Sequence, residues 1–549
     1  LTVAAKESVM TSILAEQNTS PKKDARSDQT RKAHLIGGGI GSLAAAAFMI
    51  RDTDMSGQNI TIYEAMSLLG GSLDGGGNPH DGYTLRGGRM LTTDNYECTW
   101  DLFQTIPSLT NSNVSVFDQT KAFNRANTPD SHARLVDENR HRLAVLSMGF
   151  SMADRLELFK LVEIDEAKLG NSRVTDWLSP AFFKTEFWFM WATTFAFQPW
   201  HSAVEFRRYL HRFMLEFTRI ETLAGVKRTE FNQYDSLVQP LVAWLTAFGV
   251  TFVPDCRVDD IVLSDTDGMI AVEALHLTRN GQSETVSVSD HDLVFFQNGS
   301  MTDASSFGSM TRAPEKLTKA DSGGWTLWEK IAARHPEFGS PAVFNSSIPE
   351  TYWESFTVTL DNAHFFDAME KFTGNVAGTG GLVTLRDSNW LMSVVLAHQP
   401  HFARQPAHVK VFWGYALHPD RVGNFVPKPM SECSGEEVLH ELCGHLNFDM
   451  GVMAGGICIP CRMPYITSMF MPRKVGDRPL PVPRISQNLA FVSQFVELPE
   501  DVVFTVEYSI RAAQTAVYEL LKVERPVPPV LHHDRSIQVK IAAAIKAFA

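Results

Sequence analysis

A chain of 549 residues, 44% hydrophobic and 20% charged, has ample apolar material for a core and room for about two or three domains. Its net charge of -13 argues against nucleic acid as a partner. Six cysteines in so long a chain make no disulfide framework, which fits a reducing compartment, and the expected location is cytoplasmic.

Residues 1–32 are mostly polar, lack an apolar signal-peptide core and read as a disordered leader. His34-Leu35-Ile36 reads as a buried strand that enters Gly37-Gly38-Gly39-Ile40-Gly41-Ser42. Residues 43–50 form an Ala-rich helical stretch, and residues 59–63 form a second strand ending at Glu64. This is a βαβ unit. In it Gly37 permits the tight turn, and Gly39 lets a pyrophosphate meet the N–H groups at the helix N-terminus. Gly41 and Ser42 follow, with Ser42 in the third fingerprint position. Glu64 is placed to accept hydrogen bonds from a ribose diol.

A second glycine-rich stretch comes soon after. Leu69-Gly70-Gly71-Ser72 is followed by Arg86-Gly87-Gly88-Arg89-Met90. Paired glycines admit close backbone approach, and the arginines supply fixed positive charge. A nicotinamide domain has no need of this second stretch, so FAD is favoured over NAD.

Further along, residues 140–168 and 203–217 show helical periodicity. The apolar run 187–197 is shorter than the roughly 20 residues of a membrane span. It reads as a buried helix or as the wall of a tunnel for a long apolar ligand. Strands are expected at 249–253, 260–263, 272–277, 394–396, 409–413 and 502–507, and residues 292–300 read as a strand running into a glycine turn. A helix is expected at 509–521. Cys458-Ile459-Pro460-Cys461 lacks a second cysteine pair for zinc and a thioredoxin-like setting, so two buried thiols in a loop are expected and no metal site.

The expected fold is α/β: a discontinuous Rossmann-like FAD-binding domain (33–125, 235–310 and 480–525) with an inserted α+β substrate domain (126–234 and 311–479). Residues 526–529 are a Pro-rich hinge within a helical tail, 526–549. The amphipathic helix of that tail either docks on the surface or makes a transient membrane-surface contact.

These pieces together resemble the oleate hydratases, FAD-dependent fatty acid hydratases once called myosin-cross-reactive antigens. The resemblance rests on the glycine loop, on residues 86–89 and 96–103, on 206–217 with Arg219-Ile220-Glu221-Thr222-Leu223, and on Asn232-Gln233-Tyr234-Asp235-Ser236. Residues 298–303 and 399–402, Trp413-Gly414-Tyr415 and Pro464-Tyr465-Ile466-Thr467 complete it. It implies addition of water to the cis-9 double bond of oleic acid, giving 10-hydroxystearic acid, with FAD present but no net redox. It names Tyr209 as proton donor. A tyrosine is a feeble acid at its ordinary pKa of about 10, so Arg207 or Arg208 is expected to lower it. The expected cofactor set is Gly37, Gly39, Gly41, Ser42, Glu64, Gly71, Ser72, Gly88, Arg89, Val258, Ser300 and Ser509.

Two departures stand out. The family commonly has Glu after Arg-Gly-Gly-Arg, where this chain has Met90, and the loop 91–95 is one residue longer. Water is then held by Asp94, Thr92 or backbone, or the flavin carries more of the role. The family's Thr and Asn before Gln-Pro-His-Phe are Val395 and Ala397 here, leaving His401, with Gln233 matching another pocket position. Met90, Gln233, Val395, Ala397 and His401 are thus the expected substrate set, in a monomer or homodimer. The competing readings are a flavin-dependent fatty acid isomerase or desaturase, and a lipid-binding flavoprotein without catalysis.

Overall fold

The glycine loop is built as the sequence suggests. In the computed structural model, which describes residues 30–548 except Arg89 and Leu146, Ala33–Ile36 forms a fully buried strand. Ile40–Thr53 is the helix after it, and Ile60–Tyr63 is the next strand, parallel to the first. The expected leader lies outside the described residues up to residue 29. The sheet has five strands in the order Leu489–Phe491, Leu293–Phe296, Ala33–Ile36, Ile60–Tyr63 and Thr251–Val253, every pair parallel. Near-continuous apolar strands of this kind are buried on both faces. Ile40–Thr53 packs beside Val506–Leu520 on this sheet.

A second, mostly antiparallel sheet has seven strands. Its centre is Trp353–Leu360, flanked by Ile457–Met463 and Lys410–Ala416. Met392–Val395, Leu382–Leu385 and Leu135–Val136 extend one side. A ribbon, Gly75–Asn78 with Gly82–Leu85, crosses from the glycine region to this sheet. The N–H groups of Tyr83 and Leu85 donate to the Thr359 and Thr357 hydroxyls at 2.8 and 3.0 Å. Ser355 donates to the Arg86 carbonyl at 3.1 Å, so the Arg-Gly-Gly-Arg loop is anchored where the two sheets meet. The described residues form a large mixed α/β structure.

Several expectations shift. Residues 502–507 are not a strand. Phe504 takes a left-handed φ of 68°, which ends any extended run, and the Thr505 hydroxyl accepts from Tyr508 N–H to start the helix at Val506. The outer strand of the parallel sheet is Leu489–Phe491 instead. Helix within 140–168 is confined to Met152–Glu163 and a single turn at Glu166–Lys168; Ser151 and Asp154 form a capping box that sets the start of the first. The 203–217 helix breaks at Phe213 into Ala203–Arg212 and Met214–Phe217. Cys458 and Cys461 lie on a strand, not in a loop; both are buried, and burial pushes both thiols up. Among the described residues no helix is long and apolar enough to cross a membrane, and no group of three or more His, Cys, Asp or Glu is placed to hold a metal.

Candidate functional site

The glycine loop opens onto a cleft of about 430 Å³. Of the expected cofactor residues, Gly37, Gly39, Glu64, Gly71, Ser72, Val258, Ser300 and Ser509 all line it. The two glycine-rich stretches lie together because Gly70 N–H donates to the Gly38 carbonyl at 2.9 Å. Glu64 accepts from the N–H groups of Gly38 and Met66 at 2.6 and 2.8 Å. Arg86 also lines the cleft, with Nε on the Asp74 carboxylate at 2.9 and 3.0 Å and a buried Nη1 without an acceptor. The helix that starts after Gly39 has no side-chain cap and no acid in its first turn, and its positive end faces the cleft beside Glu64.

Three expected residues sit elsewhere. Gly41 lies behind the loop, where a Cβ would collide with the Val492 carbonyl; its role is close packing of helix on strand end. Ser42 is buried and accepts from Gln297 Nε2 at 2.9 Å. That same amide lies 3.0 and 3.1 Å from the carbonyls of Gly37 and Gly39, so Gln297 clamps the loop, a role the sequence did not reveal. Gly88 borders a different cavity, and Arg89 is outside the described residues.

This second cavity is smaller, about 90 Å³, and mainly apolar. Met90, Gly88, Tyr209 and Val395 share its wall, while Gln233, Ala397 and His401 do not line it. Gln233 supports the loop from behind by donating to the Gly87 carbonyl at 3.0 Å. The Ala397 carbonyl accepts from Gln399. A Cβ on Gly88 would run into the Trp413 indole, so only glycine lets that ring close the chamber. Residues 504–506 line both the cavity and the cleft, so the two spaces adjoin at this segment.

Tyr209 projects from Ala203–Arg212 into a cage of Phe195, Phe197, Phe213 and Phe470, with ring centroids 4.9 to 5.7 Å away. Its hydroxyl donates to the Val503 carbonyl at 2.5 Å. The expected help from arginine is absent. Arg208 is engaged by Glu166 and Glu497, and Arg207 lines a separate surface pocket. Burial, with the negative fields of Glu205 and Asp501 behind it, holds the Tyr209 phenol well above 10. The phenol therefore stays protonated at neutral pH.

Around the rest of the cavity, Thr92 is present but Asp94 is not. Glu216 is the one carboxylate among the described lining residues. It is buried, held by Arg219 at 2.5 Å, and sits over Gly225, whose missing Cβ makes its room. A charged residue inside the apolar run Met214-Leu215-Glu216-Phe217 was a signal that could have found it. His401 is buried, and desolvation, aided by Arg228, pushes its pKa down to about 3.

Fold and site thus define an α/β protein in which a glycine-lined cleft abuts a smaller apolar chamber. The model of the MCRA family matches residues 30–518. An oleate hydratase of Streptococcus pyogenes serotype M49 (strain NZ131) is 39% identical over 527 residues, covering 93% of this chain and 89% of that protein. A linoleate hydratase of Lactiplantibacillus plantarum is 35% identical over 534 residues, 89% of this chain and 93% of that protein. Cyclohexylamine oxidase from Brevibacterium oxydans IH-35A superposes with a TM-score of 0.49 at 12% identity, over 90% of this chain and all of that one (100%). The chain belongs to the MCRA family.

Proposed function

We propose that this protein is an FAD-dependent fatty acid hydratase that adds water across the cis-9 double bond of oleic acid and similar acids, oleic acid yielding 10-hydroxystearic acid. The observation that carries the reading is the junction at residues 504–506, where the glycine-lined cleft meets the apolar chamber bearing Tyr209. Family membership and the two hydratase relatives support it.

The cleft fits FAD. Its volume lies within the ~300–1,000 Å³ usual for ligand sites. The uncapped helix end suits the pyrophosphate and Glu64 a ribose, while Arg86 has a buried donor in want of an acceptor. We assign this cleft to a FAD-binding domain of residues 33–125, 235–310 and 480–525. When bound, the flavin supplies an electron-rich ring that favours developing positive charge nearby.

An alkene is a poor base, so hydration requires an acid at one carbon and water at the other, both fixed in place. Tyr209 turns its O–H from the Val503 carbonyl and gives the proton to one alkene carbon. A water oxygen then bonds the neighbouring carbon, and its surplus proton leaves to the Glu216 carboxylate, from which solvent returns a proton to the tyrosine. The raised pKa makes the phenol a weaker acid still, so the transfer depends on close positioning of the O–H against the alkene and on stabilisation of the cation that forms. The aromatic cage keeps other water away from the cation. At about 90 Å³ the chamber is smaller than a long acyl chain needs, so entry requires its walls to part. Met90 favours a second reading, a lipid-binding flavoprotein without turnover; Glu216 on the same wall argues for catalysis.

The test is oleate incubated with the FAD-loaded, reduced protein in oxygen-18 water, beside Tyr209→Phe. The expected product carries one labelled oxygen and needs no electron acceptor. The variant should keep FAD and lose at least about a hundredfold in rate. Turnover that depends on an added acceptor would reject the hydratase, and full activity in the variant would reject Tyr209 as the acid.

A further inference from the structure

Arg228 is a half-buried cation on the chamber wall without an anion. It lines the apolar chamber together with Leu382, Val395 and Tyr415. Its Nη2 donates to the Gly380 carbonyl at 3.3 Å, and its buried Nε has no acceptor. Among the described residues no carboxylate lies within ion-pairing distance of it. Four other interior arginines among the described residues are matched: Arg86 with Asp74, Arg208 with Glu166 and Glu497, Arg473 with Glu205, Arg511 with Asp501 and Glu507.

The surroundings make the mismatch larger. Arg134, fully buried behind the same wall, directs its donors to the carbonyls of Leu382 and Ile220 and to the Thr194 hydroxyl, and none to an acid. The Tyr415 hydroxyl is donated to the Thr193 carbonyl. His401, whose buried Nε2 has no partner, is uncharged at neutral pH and so adds no charge of its own. A guanidinium drawn out of bulk water without a counter-ion is unfavourable, and an anion entering the chamber would relieve it.

We infer that Arg228 is the charge partner of the substrate carboxylate, supplying the anchor that Val395 and Ala397 cannot. The assignment rests on the fatty acid reading above. It makes the chamber selective for free acids over esters and alcohols of the same chain, because only an ionised head group neutralises Arg228. Guanidinium suits this role, since its planar fork can hold both carboxylate oxygens.

Ligand-induced thermal shifts of the FAD-loaded protein test it without requiring turnover. Oleate and oleyl alcohol are the probes, on wild type, Arg228→Gln and Arg228→Lys. Oleate should raise the melting temperature of wild type clearly more than oleyl alcohol does. In Arg228→Gln that difference should vanish, with oleate affinity at least about tenfold weaker, while Arg228→Lys restores part of it. Without lipid, Arg228→Gln should melt no lower than wild type, since it removes an unpaired charge. A lower melting point would mark a structural role and overturn the assignment. So would an unchanged preference for acid over alcohol. If wild type binds oleate in this Arg228-dependent way yet makes no hydroxy acid, the hydratase reading fails and the anchor stands. If wild type binds no oleate, both fall.

Discussion

Met90 and Glu216 face one cavity, and the pair explains how a chain lacking the expected acid in its Arg-Gly-Gly-Arg loop still presents a carboxylate. The Arg219 side chain holds Glu216 and also reaches Asp94 at 3.1 Å, so Asp94 is tied to the support rather than to the chamber. Glu216→Gln should lower kcat at least about tenfold while FAD stays bound. Adding Met90→Glu to that variant should recover part of the rate, because it returns a carboxylate to the same wall. Steady-state kinetics with oleate decide this, and an unaltered kcat in Glu216→Gln would remove Glu216 from the mechanism. At this scale the sequence showed chemistry where residue type alone carries it. Gly37, Gly39 and Glu64 could be placed because a nucleotide loop requires them. Arg228 could not, since Lys227-Arg228-Thr229 looks like any solvated run until the fold closes around it.

Two elements hold the chamber in register. Val506–Leu520 contributes Glu507, which accepts from Cys98 and Thr99 N–H at 3.0 and 2.8 Å, and Arg511, which reaches Glu97, Asp501 and Glu507 at 2.8 Å each. Arg212, one turn after Tyr209, joins the same network through Glu97 at 2.6 Å and Asp501 at 3.3 Å. The tyrosine helix is thus tied to the segment whose Val503 carbonyl accepts the Tyr209 hydrogen bond. The strand Trp353–Leu360 carries a different kind of buried charge. Glu354 is fully buried, both its oxygens lack hydrogen-bond partners, and its cross-strand neighbour Arg462 is 3.6 Å away. Burial pushes its pKa from 4.5 up to about 7. The folded chain therefore binds this proton over a range where the unfolded chain has lost it. That contribution to stability is complete below pH 4.5 and disappears as pH rises through about 7. Glu354→Gln should abolish this component, so the variant gains stability relative to wild type more at pH 8 than at pH 5. Denaturant midpoints at the two pH values measure it; an equal gain at both would show that Glu354 is not titrating. Among the elements, alternating or continuous apolar strands were readable, whereas 502–507 misled because its apolar composition hides the left-handed turn at Phe504.

Across the whole molecule the two sheets bring distant segments to one place: the chamber draws on residues near 90, 195, 209, 226, 395, 413 and 505. The outer surface has its own pattern. Ile537–Phe548 leaves Ile537, Ile541, Ile545 and Phe548 exposed on one face. Beside it, Met152–Glu163 exposes Met152, Leu156 and Phe159, and Arg155 joins the helices by donating to the Ala547 carbonyl at 2.8 Å and stacking over Phe548. Paired apolar rows of this kind are the feature on which the expected membrane-surface contact would rest. The protein should co-float with phospholipid vesicles, and Ile541→Glu with Ile545→Glu should abolish flotation without loss of folding; wild type that stays in solution would dismiss the contact. What the sequence by itself determined is local: the glycine turns, the strand and helix around them, and the family resemblance. These follow from backbone geometry and periodicity over a few residues, which neighbours along the chain dictate. Only the tertiary structure decided which charges are matched. It surrounded Tyr209 with phenylalanine and raised its pKa where a lowering was expected, left His401 neutral, turned Glu216 to the chamber, and enclosed Arg228 without an acid. Those outcomes depend on burial and on partners far apart in the chain, and neither is written in the spacing of residues.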